Sequence, residues 1–366
     1  MLKVFEAFAG YGSQRTALKN LNIEHEVVGI SEIDGDAILS YAAIHDNLSN
    51  ELELDYDLLD EDMRAFLKEI NVPLDYRTFE NKADKLKGNK LKNMYVANKI
   101  SKNFGDIRSI NPASLPDFDF FTYSFPCQDI SVAGYQSGLD ENSGTRSSLL
   151  WECCKIIEHK KPKILMMENV KNLVGKNHKA DFEKFLIYLE SLGYENHWDI
   201  LNARDFNVPQ NRERVFCISI LNNAKPFKFP KSVELKVKVN DLLETEVDEK
   251  FFLKNNQVTD TPITQNYIYC LDSNYWKGTS LKDFLAKKRR QLVSGPQNDV
   301  GKYPSRRLTP KETWRFMGCS DVDFKKAEKF VSNTNLYRQS GNSIVIPVLE
   351  GIFKELFLEI NMKEDI

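Results

Sequence analysis

A run of aromatic residues ending on a proline and a cysteine constrains this chain more than any other stretch. Residues 118–128, FDFFTYSFPCQ, read as a buried strand that breaks at Pro126. Cys127 follows at the tip. Ligands of open α/β sheets bind outside the carboxyl ends of the strands, so a thiol there can reach a substrate that one inside the strand could not. Most intracellular cysteines are small buried hydrophobes, so position alone leaves both readings open.

The first residues repeat the theme. Residues 3–8 (KVFEAF) form a short strand, followed by AGYGS and a helical pattern that places Ala17, Leu18 and Leu21 on one face. A second strand, 26–31 (EVVGIS), leads to Glu32, whose carboxylate can accept hydrogen bonds from both ribose hydroxyls. A dinucleotide fingerprint would need a third glycine where Arg15 stands, so S-adenosylmethionine fits this adenosine site better than NAD. Asp106, in GDI before the cysteine strand, sits at another strand edge and can read an adenine amino group. Glu168, after the strand 164–167, brings a second reactive group to the same edge as Cys127. Arg212 and Arg214 enter the strand 215–221 two residues apart and so point the same way; a surface salt-bridge pair is the plain alternative.

Composition narrows the class. The chain has 366 residues, 42% of them hydrophobic, which suits one large domain and a smaller one. No apolar run is long enough to cross a bilayer, and the amino terminus lacks a secretory pattern, so a cytoplasmic protein with no membrane association is expected. The six cysteines show no CxxC spacing, which fits reduced thiols rather than a disulfide scaffold or a metal site. A net charge of −3 means that any nucleic-acid surface must be local.

Other stretches carry organisation. Residues 48–104 turn acidic and then Lys/Asn-rich and read as an inserted, solvated surface decoration. Residues 128–145, with three glycines, have the composition of a loop able to close over a substrate. Residues 179–192 form a core helix that Gly193 caps. From 222 to 300 the strand–helix rhythm is lost, and lysines mix with Tyr267, Tyr269, Tyr275, Trp276 and the run Lys287–Arg290, as on a nucleic-acid face. Thr309–Pro310 starts a capped helix, and Gly341-Asn342-Ser343 opens an apolar terminal one.

Taken in order, FAGYG (8–12), SEID (31–34), GDI (105–107), FPCQDIS (125–131), ENVKNL (168–173), QNRER (210–214), RRLTPKE (306–312) and QSGNS (339–343) resemble the cytosine-5 DNA methyltransferases along the whole chain. VFEAFAGYGSQRTAL, LLWE and TYSFPCQD look most like the CG-specific enzymes of wall-less bacteria. The resemblance implies an α/β fold: a Rossmann-like methyltransferase domain (1–221 and 301–366) with a mixed, mainly parallel sheet, and a smaller irregular target-recognition domain (222–300). It further implies double-stranded DNA as substrate, S-adenosylmethionine as methyl donor, no metal, a monomer, and a restriction endonuclease as functional partner. Cys127 would attack C6 of a flipped cytosine, Glu168 would protonate N3, Arg214 would contact O2 and Arg212 would support the site. Cofactor contacts would fall at Phe8, Gly10, Tyr11, Gly12, Glu32, Ile33, Asp106, Ile107, Leu149, Asn342 and Ile344. Three positions depart from the family pattern: Glu6 replaces an aspartate, Ser13 a glycine and Ile33 an adenine-stacking aromatic. Two alternatives are a transfer-RNA cytosine methyltransferase, marked by a Cys-Phe-Thr tripeptide absent here, and a silent DNA-binding homologue, which would have lost Cys127, Glu168 or the arginines.

Overall fold

The computed structural model describes residues 1–54, 58–75, 78, 80–126, 149–222, 226–254, 257–287 and 290–359. Cys127 and the 128–145 loop lie outside the described residues. The chain divides into two compact units, Met1–Leu201 with Glu213–Pro230 and Leu349–Ile366, and Asn202–Arg212 with Lys231–Val348.

In the first unit, β1 (Leu2–Ala7), β2 (His25–Ser31), β3 (Phe120–Tyr123), β4 (Ile164–Val170), β5 (Tyr194–Asn202) and β7 (Glu213–Leu221) form one sheet in the order β2-β1-β3-β4-β7-β5; the two-residue β6 (Gln210–Asn211) lies in the second unit. β1 pairs in parallel with both β2 and β3, and β3 with β4, whereas β4 and β7 are antiparallel. The sheet is therefore mixed and mainly parallel, as expected. Its order reverses at β1, which opens a crevice at the carboxyl ends of β1, β2 and β3. Val4, Phe5, Phe120, Phe121, Ile164 and Leu165 are buried because these strands are covered on both faces.

Helix α1 (Ser13–Asn20) follows β1, and α2 (Gly35–His45) follows β2. α2 is buried on nearly all sides, and its apolar sequence explains why: it needs a cover beyond the sheet. The segment expected to be surface decoration supplies that cover. It contains α3 (Leu48–Glu51), α4 (Asp60–Glu69) and α5 (Asn89–Ile100), and α5 packs on α2 while α4 packs on α5. Met63, Leu67, Leu91, Met94, Val96 and Ala97 point inward, and the charges that dominate the composition occupy the outer faces. A solvated decoration is thus the wrong description. On the other side of the unit, α6 (Leu149–Lys160) and α7 (Lys179–Ser191) join a core with Phe182, Phe185 and Leu189. The carboxyl-terminal segment returns to the sheet: Phe353 and Phe357 meet Phe120 edge-on at 5.5 and 5.4 Å.

The second unit is built from short pieces: β8 (Val258–Thr259), β9 (Ile268–Tyr269), α8 (Leu281–Leu285), β10 (Val293–Ser294), β11 (Tyr303–Arg306), α9 (Pro310–Arg315), α10 (Asp321–Glu328) and α11 (Asn333–Asn342). Residues 301–348 pack here, a boundary different from the functional division expected from the sequence. β11 joins β10 to β8, and Leu308, Phe316 and Tyr337 share a core with Val239, Phe251 and Tyr275. Thr309 caps α9 through a reciprocal capping box with Glu312 and Pro310 at the first turn, as expected. Gly341 closes α11 rather than opening the last helix, α12 (Ile346–Lys354), because the backbone of Asp272 and Ser273 passes where a side chain would stand.

Candidate active site

The turn after β1 needs backbone conformations that few side chains allow. Phe8, Gly10 and Gly12 have φ of 56°, 58° and 83°. Glu32, just past β2, locks this turn: its Oε2 accepts from the Gly10 N–H at 2.9 Å, and its Oε1 accepts from the N–H groups of Ile33 and Asp34 at 2.8 and 2.9 Å. Burial, with Asp34 nearby, pushes the Glu32 carboxyl up to about 6 against those three donors. Beyond Gly10 there is open space: among the described residues nothing lies within 4 Å of where a Cβ would project. Tyr11 is different, since its ring is buried and only its backbone faces the turn.

Underneath sits a buried polar cluster that the sequence did not announce. The Tyr41 hydroxyl donates to Glu6 Oε2 at 2.7 Å, and Arg15 pairs with Asp46 at 2.7 Å. His45 accepts at Nδ1 from Lys19 (3.1 Å), so its Nε2–H donates to the Tyr11 carbonyl (3.1 Å). Burial beside Lys19 and Arg15 keeps that imidazole neutral. Burial likewise pushes Glu6 up to about 7, with the Tyr41 hydrogen bond and Arg15 opposing it. A carboxyl raised on folding binds its proton more tightly in the native state, so its stabilising contribution is complete at low pH and is lost as pH rises through about 7. Urea unfolding from pH 5 to 7.5 should therefore show the wild type losing about 2 kcal/mol relative to Glu6→Gln, which cannot titrate.

Asp106, expected at a strand edge, instead caps a short helical turn (Ile107–Ser109), and an isolated bridge between Asn103 and Ile30 ties the preceding residues to the sheet. The Asp106 Oδ1 accepts from the Arg108 N–H at 3.1 Å, and Arg108 NH2 reaches its Oδ2 at 2.6 Å. The Arg108 side chain is the more exposed partner (38% against 5%). Asn103, buried, ties this segment to Glu32: its Oδ1 accepts from the N–H groups of Glu32 and Gly105 (3.1 and 3.0 Å), and its Nδ2 donates to the Glu32 carbonyl (2.9 Å). Asn103 was not singled out by its sequence; only its place two residues before GDI hinted at it. Ile107 is buried in the core, and Leu149 is partly buried at the start of α6.

The third part is the edge between β3 and β4. β3 ends at Tyr123, and the chain continues through buried Phe125 towards Cys127, itself outside the described residues. Asn169 Nδ2 donates to the Phe125 carbonyl at 3.1 Å, so the ENV and FPC segments are fastened side by side. Glu168 lies within β4, opposite Phe216, and is almost wholly buried. Arg214, opposite Val170 on β7, brings its Nε to 3.3 Å from Glu168 Oε1. The two arginines fall in different units. Arg212 belongs to the second unit, where its NH1 donates to the Leu271 carbonyl (2.8 Å) and its NH2 to those of Gly341 and Ser343 (2.9 and 2.6 Å). Arg212 lies just before β7 (Glu213–Leu221), outside the six-stranded sheet, so strand alternation does not relate it to Arg214.

In the second unit, Arg306 and Glu312 form a buried bidentate pair, both contacts at 2.8 Å, and Glu312 also accepts from the N–H groups of Thr309 and Glu244. RRLTPKE is therefore scaffold for this unit. Tyr275 is core, its hydroxyl bonded to the Gln291 carbonyl, whereas Tyr267 and Trp276 are exposed. Lys250, Lys254, Lys277 and Arg307 line one cleft. Asn342 is exposed and Ile344 buried. Lys288 and Arg289 lie outside the described residues.

An open, mainly parallel α/β sheet whose order reverses at β1, with a glycine turn following that strand, defines an α/β fold of the class that takes ligands at the carboxyl ends of its strands. The chain belongs to the C-5 cytosine-specific DNA methylases, matching that family over residues 58–358; it is a DNA (cytosine-5-)-methyltransferase whose methyl donor is S-adenosylmethionine. It is 74% identical to the Type II methyltransferase M2.ScrFI of Lactococcus lactis subsp. cremoris, over 98% of this chain and 99% of that one. The resemblance to enzymes of wall-less bacteria is carried by the Orphan methyltransferase M.SssI of Spiroplasma monobiae, 34% identical over 97% of each chain. The crystal structure of S. pombe Dnmt2 methyltransferase has the same fold, with a TM-score of 0.64 at 18% identity, covering 99% of this chain and 100% of that one. The residues fit the methyl donor: among the described residues the space at Gly10 leaves room for it, and Glu32, just past β2, and Asp106, tied to it through Asn103, are hydrogen-bond acceptors. Among the described residues no helix is long and apolar enough to cross a membrane.

Proposed function

We propose that the chain methylates cytosine within a specific duplex sequence, as a monomer in the cytoplasm, and protects that sequence from a companion endonuclease. The relative named a Type II methyltransferase supports this role. Cytosine C5 is a weak nucleophile, so the Cys127 thiolate adds to C6 of a base rotated out of the stack, at a cost of about a few kcal/mol. Glu168 donates a proton to N3 and holds the exocyclic amine, while Arg214 holds O2, so negative charge does not accumulate on the ring. S-adenosylmethionine, when bound, supplies an electrophilic methyl group. Loss of the C5 proton and departure of the thiolate then restore aromaticity. Arg212 acts by holding the 270–271 and 341–343 backbone rather than by touching the base.

For the methyl donor, Glu32 would take the ribose hydroxyls and Asp106 the adenine amino group, which would replace a donor of the exposed Arg108. Ile33 and Ile107 would face the adenine, Phe8, Gly10, Tyr11 and Gly12 would contribute chiefly through backbone, and Leu149, Asn342 and Ile344 complete the proposed contacts. Exposed Tyr267 and Trp276 and the cleft at Lys250 and Arg307 would meet DNA. The observation that carries this reading is the buried Glu168–Arg214 pair beside the Asn169–Phe125 hydrogen bond.

The test is to incubate the protein with methyl-labelled S-adenosylmethionine and duplex DNA and to sequence the product for 5-methylcytosine. Methylation at one short sequence, with covalent capture by the same site carrying 5-fluorocytosine, is the expected result. Label entering only transfer RNA would overturn it.

A further inference from the structure

The inserted segment touches the methyl-donor edge at the turn that follows α4. The Leu74 N–H donates to the Ile33 carbonyl at 3.0 Å, and the Asp106 N–H donates to the Ile70 carbonyl at 3.2 Å. Between them, Asn71 Nδ2 donates to Asp106 Oδ2 at 3.2 Å. The amide cannot be turned the other way without loss, because Asn71 Oδ1 accepts from Asn81 Nδ2 at 3.1 Å. Asn81 is held in its turn, its Oδ1 accepting from the Ala83 N–H at 2.8 Å. Asn71 also has φ of 58°, a conformation that asparagine tolerates better than most residues. The same turn packs Pro73 against Gly35 at the start of α2.

We infer that the insertion is part of the methyl-donor site, and that Asn71 is a positioning residue that sets the adenine-reading carboxylate of Asp106. This rests on the assignment of Asp106 as the adenine contact. Asp106 has two kinds of donor in this structure, an exposed guanidinium and a partly buried amide that Asn81 holds in place. When an adenine amino group takes a position held by Arg108, the Asn71 amide keeps the carboxylate from rotating after it. Preorganisation of this kind raises affinity only for a ligand that bears the amino group, which separates it from a general structural role.

Asn71→Gly removes the side chain and accepts the positive φ, so the turn can keep its path. The measurement is the dissociation constant of S-adenosylhomocysteine and of its 6-deamino analogue, in which purine replaces adenine. Asn71→Gly is expected to weaken S-adenosylhomocysteine by about 5–10-fold, the worth of one hydrogen bond to a charged acceptor partly replaced by water. Its affinity for the analogue should change less than about 2-fold, so discrimination between the two falls by about the same factor. Asn71→Asp, which tolerates the same backbone and puts an oxygen towards Asp106, should do the same. Equal weakening of both ligands, or retained discrimination in both variants, overturns the inference. Asp106→Asn separates the two levels: if it too keeps full discrimination, the adenine assignment itself fails, whereas its loss there with retention in the Asn71 variants rejects the role of Asn71 alone.

Discussion

Cys127→Ala is expected to abolish methyl transfer while leaving DNA binding intact, and Glu168→Gln to lower kcat by about 10²- to 10⁴-fold, the usual worth of a positioned general acid. The two losses differ in kind. Without the thiol no bond to C6 forms, so DNA carrying 5-fluorocytosine is not captured at all. Glutamine at 168 can still present an oxygen to Arg214 Nε, now 3.3 Å from Glu168 Oε1, and fills the same volume in the sheet. It can also hydrogen-bond the base, but it has no proton to transfer to N3. Capture should therefore persist at a reduced rate. Affinity for S-adenosylhomocysteine, read separately by titration, should stay within about 2-fold of wild type, since Glu168 is not among the proposed methyl-donor contacts. A Glu168→Gln enzyme with wild-type single-turnover rate would remove the carboxyl from the mechanism.

What the sequence disclosed and what it hid follow the range of the interactions. β1, its glycine turn and β2 were legible because their signals are local: an apolar run, then Gly10 and Gly12, then Glu32 at the end of the next run. Glu168 and Arg214 were legible as residue types at strand ends, and the structure brings them together through the β4–β7 register. The buried cluster of Glu6, Tyr41, Arg15 and Asp46 was not legible, because each member looks like an ordinary charged or aromatic residue until the helices pack. The insertion was misjudged for a related reason. Its composition is set by its outer faces, whereas its contribution depends on Leu91 and Met94 under α2 and on backbone atoms of Ile70 and Leu74 that composition cannot report. Arg212 was legible as a motif residue, but the three carbonyls that its guanidinium binds were not, because they come from residues 59 to 131 positions away.

Gly105→Ala is expected to destabilise the first unit by about 3–5 kcal/mol, whereas Gly10→Ala should cost only about 1 kcal/mol and instead weaken methyl-donor binding. Both glycines have positive φ, 74° and 58°, so each alanine would carry a similar backbone strain of roughly 1–2 kcal/mol at most. Their surroundings decide the rest. A Cβ at 105 would stand 1.7 Å from the Ile70 carbonyl oxygen, a backbone atom that already accepts from the Asp106 N–H. Relief by moving residue 105 is also blocked, because its N–H donates to Asn103 and its carbonyl accepts from Ser31 Oγ at 2.7 Å. The inserted turn would have to detach, exposing Leu67 and Val72 with it. At Gly10 the added methyl enters empty space, which is harmless to the fold and obstructive to a ligand. Urea denaturation with S-adenosylhomocysteine titration on both variants reads the contrast. A Gly105→Ala protein as stable as Gly10→Ala would mean that the insertion does not press on the Gly105–Asp106 backbone, and the link drawn between residues 70–74 and the methyl-donor edge would have to be given up.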